Sequence, residues 1–356
     1  MTSKLETVLT RNWQRRGPLA CALWPVSVLF GGLAGLRAQL FRAGVLKSER
    51  LPVPVVVVGN IYIGGTGKTP LTIWLVQALR DAGFTPGVIS RGFGSQESGP
   101  RPVTPSSPPR DVGDEPVLIA ARTGCPVMVG RQRVEAGRAL LAAHPEVDIL
   151  VADDGLQHYA MQRDVEIILF DGRGVGNGWL LPAGPLREKP SRRRDVTVVN
   201  TPQLNARLAA SVQGRTRRGN AASMPVQMTL QADRAERLTG AESMPLADLA
   251  ARARQQGWTV AAAAGIGNPG RFFTMLKGFG FDPAEIALPD HHDFLDRPFD
   301  SVTADVILMT EKDAVKCRQL TEFRDDPRLW VVPVSARIDA ALAQQLVEKC
   351  RGCSTA

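Results

Sequence analysis

Cysteine, aromatic residues and internal repeats are scarce or absent in this sequence of 356 residues. The five cysteines lie far apart, except for a single C-x-x-C formed by Cys350 and Cys353. A structural zinc site would need a second such pair, or histidines placed close to this one. Cysteine usage therefore predicts no zinc site and suits a reducing cytoplasm.

Charge is missing from residues 18–36, which read PLACALWPVSVLFGGLAGL. This segment is long enough for a membrane-embedded helix, and Arg15, Arg16 and Arg37 flank it. Pro25 and three glycines weaken a simple spanning helix. A signal peptide and a buried core helix are the alternatives.

Positive charge is concentrated around the same segment. Residues 1–50 carry eight basic and two acidic side chains, which is +6 of the net +8 of the chain. Basic flanks beside an apolar stretch suit a helix embedded in an anionic leaflet. We therefore expect an anionic membrane surface as a partner, and no nucleic acid.

Short apolar runs alternate with helix-like stretches along most of the chain. This alternation predicts an α/β fold with a mostly parallel sheet and helices on both faces. The candidate strands are residues 53–60, 87–90, 127–130, 148–153, 166–171, 196–200, 226–230, 259–265, 306–310 and 330–334.

Composition divides the chain into four predicted parts. Residues 1–50 form a basic apolar docking segment, and residues 51–203 form the core with the first strands. Polar, arginine-rich residues 204–225 are interpreted as a hinge, and residues 226–356 as a smaller C-terminal α/β domain. Within the core, the Pro- and Ser-rich residues 94–111 predict a long mobile loop.

The strongest local motif is GNIYIGGTGKTP at residues 59–70. A β-branched strand precedes it and an amphipathic helix follows, so backbone N–H groups and the helix N-terminus can converge on phosphate oxygens. Lys68 is expected to reach the β- and γ-phosphates of ATP, and the Thr69 hydroxyl to bind Mg²⁺. The residues predicted to bind the nucleotide are Tyr62, Ile63, Gly64, Gly65, Thr66, Gly67, Lys68 and Thr69.

The motif departs from the strict P-loop pattern G-x-x-x-x-G-K-[ST] at one position, where Tyr62 replaces the first glycine. The strand before it and the helix after it still favour a P-loop NTPase-like core. A signal peptide upstream of such a loop fits poorly, because the loop needs cytosolic ATP.

Two other functions are compatible with a P-loop beside a basic segment. A ParA-like membrane-associated switch ATPase would carry lysine just before the two glycines, where this chain has Ile63. A nucleic-acid-dependent ATPase is suggested by the pI of about 9.6. ATP-dependent dimerisation would favour the switch, and DNA-stimulated turnover would favour the second.

Carboxylates end two of the apolar runs. Asp153 and Asp154 follow ILVA, and Asp171 follows EIILF. Either position suits Mg²⁺ in a P-loop enzyme. The residues alone do not choose between them.

Several further motifs occur together with these. ADDGLQH (residues 152–158), LLPAGPLRE (180–188) and GIGNPGRFF (265–273) accompany SRGFG, VGDEP, PDHH and MTEKDAVK in a fixed order. From about residue 12 to about residue 335, the sequence resembles the tetraacyldisaccharide 4'-kinase family. The extreme C-terminus lies outside this resemblance.

The resemblance implies an activity and a place in the cell. Enzymes of this family transfer the ATP γ-phosphate to the 4'-hydroxyl of a tetraacylated glucosamine disaccharide 1-phosphate in lipid A biosynthesis. They work at the cytoplasmic face of the inner membrane of Gram-negative bacteria. The expected ligands are therefore ATP, Mg²⁺ and a glycolipid substrate, and we expect a monomer.

The resemblance also implies roles for individual residues. It favours Asp153 and Asp154 over Asp171 as the Mg²⁺ carboxylates. Asp114 of VGDEP corresponds to the base that activates the sugar hydroxyl, assisted by His291 of PDHH. His292 is expected to have no role, because tandem loop histidines rarely bind one metal ion.

Charged residues of three more motifs match family positions near the phosphates, the metal and the acceptor. Arg187 is expected to neutralise charge on the transferred group, and Glu188 to contact the metal. Ser90, Arg91 and Arg133 are expected on the substrate side. A basic run at residues 189–194 could meet the 1-phosphate or anionic headgroups, or be a solvated face.

Overall fold

The computed structural model describes residues 12–92, 99–217, 222–240 and 242–352. In these residues the chain forms a larger and a smaller mixed sheet and a two-stranded ribbon. Strands of the larger sheet are β1 (Val55–Gly59), β2 (Pro86–Ser90), β3 (Arg101–Val103), β4 (Val127–Val129), β5 (Ile149–Asp153), β6 (Val165–Asp171), β7 (Val196–Asn200), β10 (Pro225–Gln231) and β17 (Ser335–Ile338). The ribbon is β8 (Gly214–Arg215) with β9 (Ala222–Ser223).

The larger sheet has the strand order β17-β10-β7-β6-β1-β5-β2-β4-β3 in the described part of the chain. Its seven inner strands pair in parallel, and the two edge strands pair antiparallel. The central strand β1 is buried along its whole length, as a parallel strand covered on both faces must be. Parallel order brings the carboxyl ends of β1, β5, β6 and β7 to one edge, where ligands of such sheets bind.

The smaller sheet has the order β12-β11-β16-β15-β13-β14. Its strands are β11 (Arg234–Arg237), β12 (Ser243–Pro245), β13 (Val260–Ala264), β14 (Ala284–Ala287), β15 (Val306–Thr310) and β16 (Leu329–Val332). We call residues 234–332 the smaller-sheet region. The pairs from β16 to β14 are parallel, so this region also directs its parallel carboxyl ends to one edge.

Helices cover both faces of the larger sheet, as the alternating pattern predicts. Val56 and Val58 of β1 pack into one apolar cluster, and Val55 and Val57 into another, because side chains alternate along a strand. The helices are α1 (Pro18–Arg42), α2 (Lys68–Asp81), α3 (Pro109–Val112), α4 (Asp114–Thr123), α5 (Arg133–Ala143), α6 (Ala206–Val212), α7 (Leu246–Gln256), α8 (Pro269–Gly278), α9 (Glu311–Cys317), α10 (Thr321–Arg324) and α11 (Ala340–Arg351).

The predicted α/β class is confirmed, and two details differ. Strands β10 and β17 belong to the larger sheet, so sheet membership does not follow the predicted division at residue 226. The chain leaves the larger sheet after Gln231 and returns to it at Ser335. In the predicted mobile loop, residues 93–98 lie outside the described residues, and the rest contains β3 and α3, because β3 pairs with β4.

Helix α1 is long and apolar enough to cross a membrane, although a signal sequence or a core helix can pass the same test. Within this fully described helix, Ala20 and Ser27 are the buried residues. The Ser27 hydroxyl donates to the Leu180 carbonyl at 2.9 Å and accepts from the Ala183 N–H at 2.8 Å. The exposed large apolar side chains of α1 are Leu19, Trp24, Val26, Val28, Leu29, Phe30, Leu33 and Leu36.

Candidate active site

The glycine-rich turn lies between β1 and α2, at the carboxyl edge of the larger sheet. Gly64 and Gly67 have φ values of 99° and 98°, a region that residues with a Cβ rarely adopt. Gly67 is also the N-cap of α2, so the helix begins at Lys68. The local structure predicted from the motif is therefore present, with N–H groups at a helix N-terminus.

The side chains of two asparagines stabilise the turn through hydrogen bonds. Asn60 donates to the Gly64 carbonyl at 3.2 Å and to the Thr66 hydroxyl at 3.1 Å. Asn200, at the end of β7, donates to the Thr66 carbonyl at 2.9 Å. Carbonyls that turn away from an anion site need such donors when they are buried.

Tyr62, which replaces the expected glycine, points into the protein. Its side chain is buried, and its hydroxyl accepts a hydrogen bond from Gln14 at 2.9 Å. The Arg173 guanidinium stacks 4.3 Å from the ring centroid. Tyr62 therefore supports the turn from the protein interior. The Ile63 N–H donates to the Pro185 carbonyl at 2.9 Å.

Lys68 points toward acidic and amide groups at the mouth of the turn. Its Nζ lies 3.4 Å from Asn60 Oδ1 and 3.7 Å from Asp154 Oδ1. Arg187 Nη1 lies 3.6 Å from the other oxygen of Asp154. Asp154 has a φ of 49°, so the end of β5 turns sharply and presents its carboxylate between these two cations.

Asp153 is fully buried beside Asp154. It accepts hydrogen bonds from the hydroxyls of Thr72 at 3.1 Å and Ser90 at 3.3 Å. Burial raises the pKa of Asp153, as do the charges of Glu115 and Asp154. A cation placed at this carboxylate pair would reverse that shift.

Asp171, the competing carboxylate, has another partner. It ends β6 on the other side of β1, and Arg173 Nη2 lies 2.7 Å from its Oδ2. This forked pair leaves Asp153 and Asp154 as the carboxylates nearest Lys68 among those proposed.

The residues fit a magnesium ion held mainly by phosphate and water. One oxygen of Asp154 is buried without a hydrogen-bond partner. Thr69 lies at the first turn of α2, and one or two carboxylates with a hydroxyl are the usual protein ligands of nucleotide-bound Mg²⁺. In the described residues no group of three His, Cys, Asp or Glu side chains could hold a metal alone.

Asp114 and His291 meet across the two sheets. Asp114 begins α4, and its Oδ2 lies 3.1 Å from His291 Nδ1 and 3.4 Å from Lys316 Nζ. Burial alone would raise the pKa of Asp114, but the hydrogen bond with His291 and the charge of Lys312 hold it well below its usual value. The same hydrogen bond raises the pKa of His291.

Lys312 was not assigned a role from the sequence, although its motif MTEKDAVK was noticed. Its Nζ lies 3.1 Å from Glu115 Oε1, 3.2 Å from Asp290 Oδ1 and 3.4 Å from His291 Nε2. Lys312 and Lys316 are one turn apart on α9, and they pair with the adjacent carboxylates Glu115 and Asp114. That spacing in the motif is the signal that could have identified them.

A cavity of about 160 Å³ brings several of the predicted site residues together. It combines residues predicted for the base, the metal, the transferred phosphate and the acceptor. Its lining residues are Ser90, Arg91, Gly113, Asp114, Glu115, Pro116, Asp153, Asp154 and Arg187.

Two predicted residues lie elsewhere. Arg133 is buried behind the carboxylate pair and donates to the Gly130 carbonyl at 2.8 Å. Burial lowers its pKa to about 10, against the charges of Asp153 and Asp154. Glu188 accepts hydrogen bonds from Gln157 at 2.9 Å and Tyr159 at 2.8 Å and pairs with Arg192.

Glu188 lines a second, larger cavity of about 940 Å³ between α1 and the body of the protein. Small residues of α1 form one wall, and basic side chains form much of the other. The basic lining residues are Arg42, Arg50, Arg163, Arg187, Lys189, Arg192, Arg193 and Arg217. Arg187 lines both cavities and therefore connects them.

Comparison with known proteins identifies the family. A family model described as LpxK, tetraacyldisaccharide-1-P 4'-kinase, matches residues 19–351. A tetraacyldisaccharide 4'-kinase of Janthinobacterium sp. (strain Marseille) is 59% identical over 99% of both chains, and one of Bordetella petrii is 48% identical over 95% of this chain and 93% of that one. The crystal structure of LpxK from Aquifex aeolicus in complex with ATP is 26% identical, with a TM-score of 0.73 over 93% of this chain and 99% of that chain. The chain belongs to the tetraacyldisaccharide-1-P 4'-kinase family.

Proposed function

We propose that this protein transfers the γ-phosphate of ATP to the 4'-hydroxyl of a tetraacylated glucosamine disaccharide 1-phosphate. Membership of the family makes it an ATP-dependent kinase of lipid A biosynthesis. The observation that carries the assignment of residues is the shared cavity. Asp114, Asp154 and Arg187 line one cavity, and Asp154 also lies 3.7 Å from Lys68 at the end of the glycine-rich turn.

Backbone N–H groups and positively charged side chains bind the phosphates. N–H groups around Gly64–Thr69 converge on the triphosphate, and the Lys68 ammonium lies over its β- and γ-groups. Arg187 neutralises charge that builds on the transferred group. Its ion pair with Asp154 keeps its guanidinium at the cavity.

Thr69, Asp153 and Asp154 would hold Mg²⁺. The ion supplies positive charge to the phosphate oxygens and orients them for in-line transfer. Asp153 is positioned for this by hydroxyl donors on α2 and β2, which fix its two oxygens. Glu188 is less suited, because it lines the larger cavity and pairs with Arg192, whereas Asp153 and Asp154 line the cavity that contains Asp114.

Asp114 accepts the proton of the sugar hydroxyl. Its low pKa keeps the carboxylate ionised, so the proton moves as the oxygen–phosphorus bond forms and the hydroxyl becomes acidic. The neighbouring His291 holds the carboxylate through Nδ1 and shares the added charge. Lys312 Nζ lies 3.4 Å from Nε2 and donates to it when the ring is neutral.

The acceptor enters from the larger cavity. Its basic wall suits the 1-phosphate of the glycolipid, and the exposed apolar face of α1 suits acyl chains or the bilayer. We infer a location at the cytoplasmic face of the bacterial inner membrane, with the N-terminal segment as anchor. An anionic membrane surface, no nucleic acid and a monomeric state complete this proposal.

The test offers labelled ATP and a panel of glycolipids to the purified protein. A phosphorylated product is expected from a tetraacylated disaccharide 1-phosphate, and not from the same lipid lacking a free 4'-hydroxyl. Transfer to that blocked lipid at an equal rate would contradict the proposal. Product formation by a Lys68→Met variant at the wild-type rate would contradict the assigned nucleotide site.

The membrane part is tested separately. Replacing Leu29, Leu33 and Leu36 with serine removes exposed apolar surface without touching the buried Ser27. Binding to vesicles of anionic lipid should weaken, while ATP affinity is unchanged. Undiminished vesicle binding would exclude α1 as the anchor.

A further inference from the structure

The smaller-sheet region contacts the glycine-rich turn directly. Strand β13 ends at Ala264, and the turn GIGNPG leads from it into α8. A Cβ added to Gly267 would lie 2.8 Å from the Gly65 nitrogen and 3.4 Å from its Cα. The backbones of two loops from two sheets therefore meet, with no room for a side chain on Gly267.

Asn200 joins the same two loops through its side chain. It is buried, and its Nδ2 donates to the Thr66 carbonyl at 2.9 Å. Its Oδ1 accepts from Arg271 Nη2, also at 2.9 Å. Arg271 lies in the first turns of α8, so one amide side chain connects the turn to the smaller-sheet region.

The position of this bond on the turn gives it a consequence for phosphate binding. The Thr66 carbonyl and the Gly67 N–H belong to one planar peptide group and point in opposite directions. Holding the carbonyl outward therefore aims the N–H toward the phosphate side. Gly67 leaves the space for this contact, because a Cβ there would lie 2.6 Å from Asn200 Nδ2.

The same region carries the partners of Asp114. His291, Lys312 and Lys316 all lie within residues 234–332, and each contacts Asp114 or its neighbour Glu115. The smaller-sheet region, which contacts Asn200 through Arg271, therefore also supplies the residues that contact Asp114.

We propose that Asn200 and Arg271 are positioning residues. They couple the placement of the smaller-sheet region against the glycine-rich turn (its seating) to the orientation of the Gly67 N–H, and hence to ATP affinity. The coupling is reciprocal, so bound ATP favours the seated arrangement in which His291 reaches Asp114. This inference rests on the ATP site of the proposed function and adds how that site is linked to the base.

A double-mutant cycle tests the coupling by calorimetric titration with Mg·ATP and no acceptor. Asn200→Ala should weaken ATP binding roughly tenfold, because it removes the donor and leaves the Thr66 carbonyl unsatisfied. Arg271→Ala should weaken it about threefold, and Arg271→Lys should recover part of that loss. The double variant should bind no more weakly than Asn200→Ala, because the two contacts act in series.

Lys277→Ala is the matched control on the same helix. Lys277 pairs with Glu285 at 2.7 Å on the exposed side of α8, away from Asn200. This variant should keep wild-type ATP affinity. Additive losses in the double variant would overturn the coupling, as would a lowered unfolding temperature with unchanged ATP affinity.

Hydrogen exchange gives a second readout that needs no substitution. In the wild-type protein, ATP should slow amide exchange in residues 269–278, which the proposed phosphate site does not include. No change there would overturn the proposal. If the wild type binds ATP but phosphorylates no glycolipid, the acceptor assignment fails and the coupling stands.

Discussion

The two halves of the candidate site are built in different ways. The proposed phosphate side is one continuous stretch, residues 59–69, which offers mainly backbone N–H groups to the nucleotide. The base side joins Asp114 of the larger-sheet part with His291, Lys312 and Lys316 of the smaller-sheet region. The first depends on local conformation, and the second on how two sheets are placed relative to each other.

This difference predicts different kinetic consequences. A change on the phosphate side should alter both ATP affinity and turnover, since the same contacts serve binding and transfer. A change on the base side should alter turnover far more than ATP affinity, because those groups act on the acceptor hydroxyl and reach the nucleotide only through the placement of the smaller-sheet region. The following experiments test that separation.

The largest effect is expected on the base side. Asp114→Ala should lower turnover by about 10³-fold, since the sugar hydroxyl loses its proton acceptor. ATP affinity should change little, because Lys312 still pairs with Glu115 and Asn200 still contacts Arg271. Asp111→Ala, which removes a half-exposed carboxylate three residues earlier, is the control and should change neither quantity. Comparable losses of ATP affinity and turnover in Asp114→Ala would contradict the separation of the site into a phosphate side and a base side.

Lys68→Met should have the next largest effect, of about 10²-fold on turnover. Here the ATP dissociation constant should rise as well, because the ammonium also binds the ground-state phosphates. Steady-state kinetics with a direct binding titration separate the two quantities. An unchanged dissociation constant would place Lys68 outside the nucleotide grip.

Lys316→Met should shift the pH profile: turnover should fall at acid pH and change little near neutral pH, where His291 and Lys312 keep Asp114 ionised. Removing the Lys316 charge raises the pKa of Asp114, so the carboxylate is protonated at higher pH. The acid limb of the turnover profile should therefore move upward in pH. A parallel drop at every pH, with the limb in place, would argue against this electrostatic link.

The smallest effect concerns His291. Its raised pKa should appear in an NMR titration as a ring midpoint above the ordinary value, returning toward it in Asp114→Asn. Since the folded pKa is raised, the stabilisation is present below the unfolded pKa and is lost as pH rises through the folded one. The stability difference between wild type and His291→Gln should thus be larger at low pH than at high pH. An equal difference at both would contradict the pairing.

Local signals explain what the sequence predicted. Strand β15 was expected at residues 306–310 and is found there, because a β-branched apolar run is a short-range pattern. The turn before Lys68 was equally predictable, since its glycines have the φ values that the motif implies.

Long-range pairing explains what the sequence did not predict. Strand β10 comes directly before the strands of the smaller sheet in the chain but pairs with β7, and nothing in its own residues indicates that choice. The roles of Lys312 and Asn200 depend on partners more than 20 and more than 70 positions away in the chain. Asp114 and His291 were paired in advance only through the family resemblance.

The fixation of α1 has a consequence for how the substrate is found. Ser27 ties the helix to residues 180 and 183, a few positions before Arg187. If α1 anchors the protein as proposed, the cavity would stay at a constant height above the bilayer, and acceptors would arrive by lateral diffusion. The rate should then follow the mole fraction of acceptor in the membrane, and adding inert detergent or phospholipid at fixed total acceptor should slow the enzyme by surface dilution.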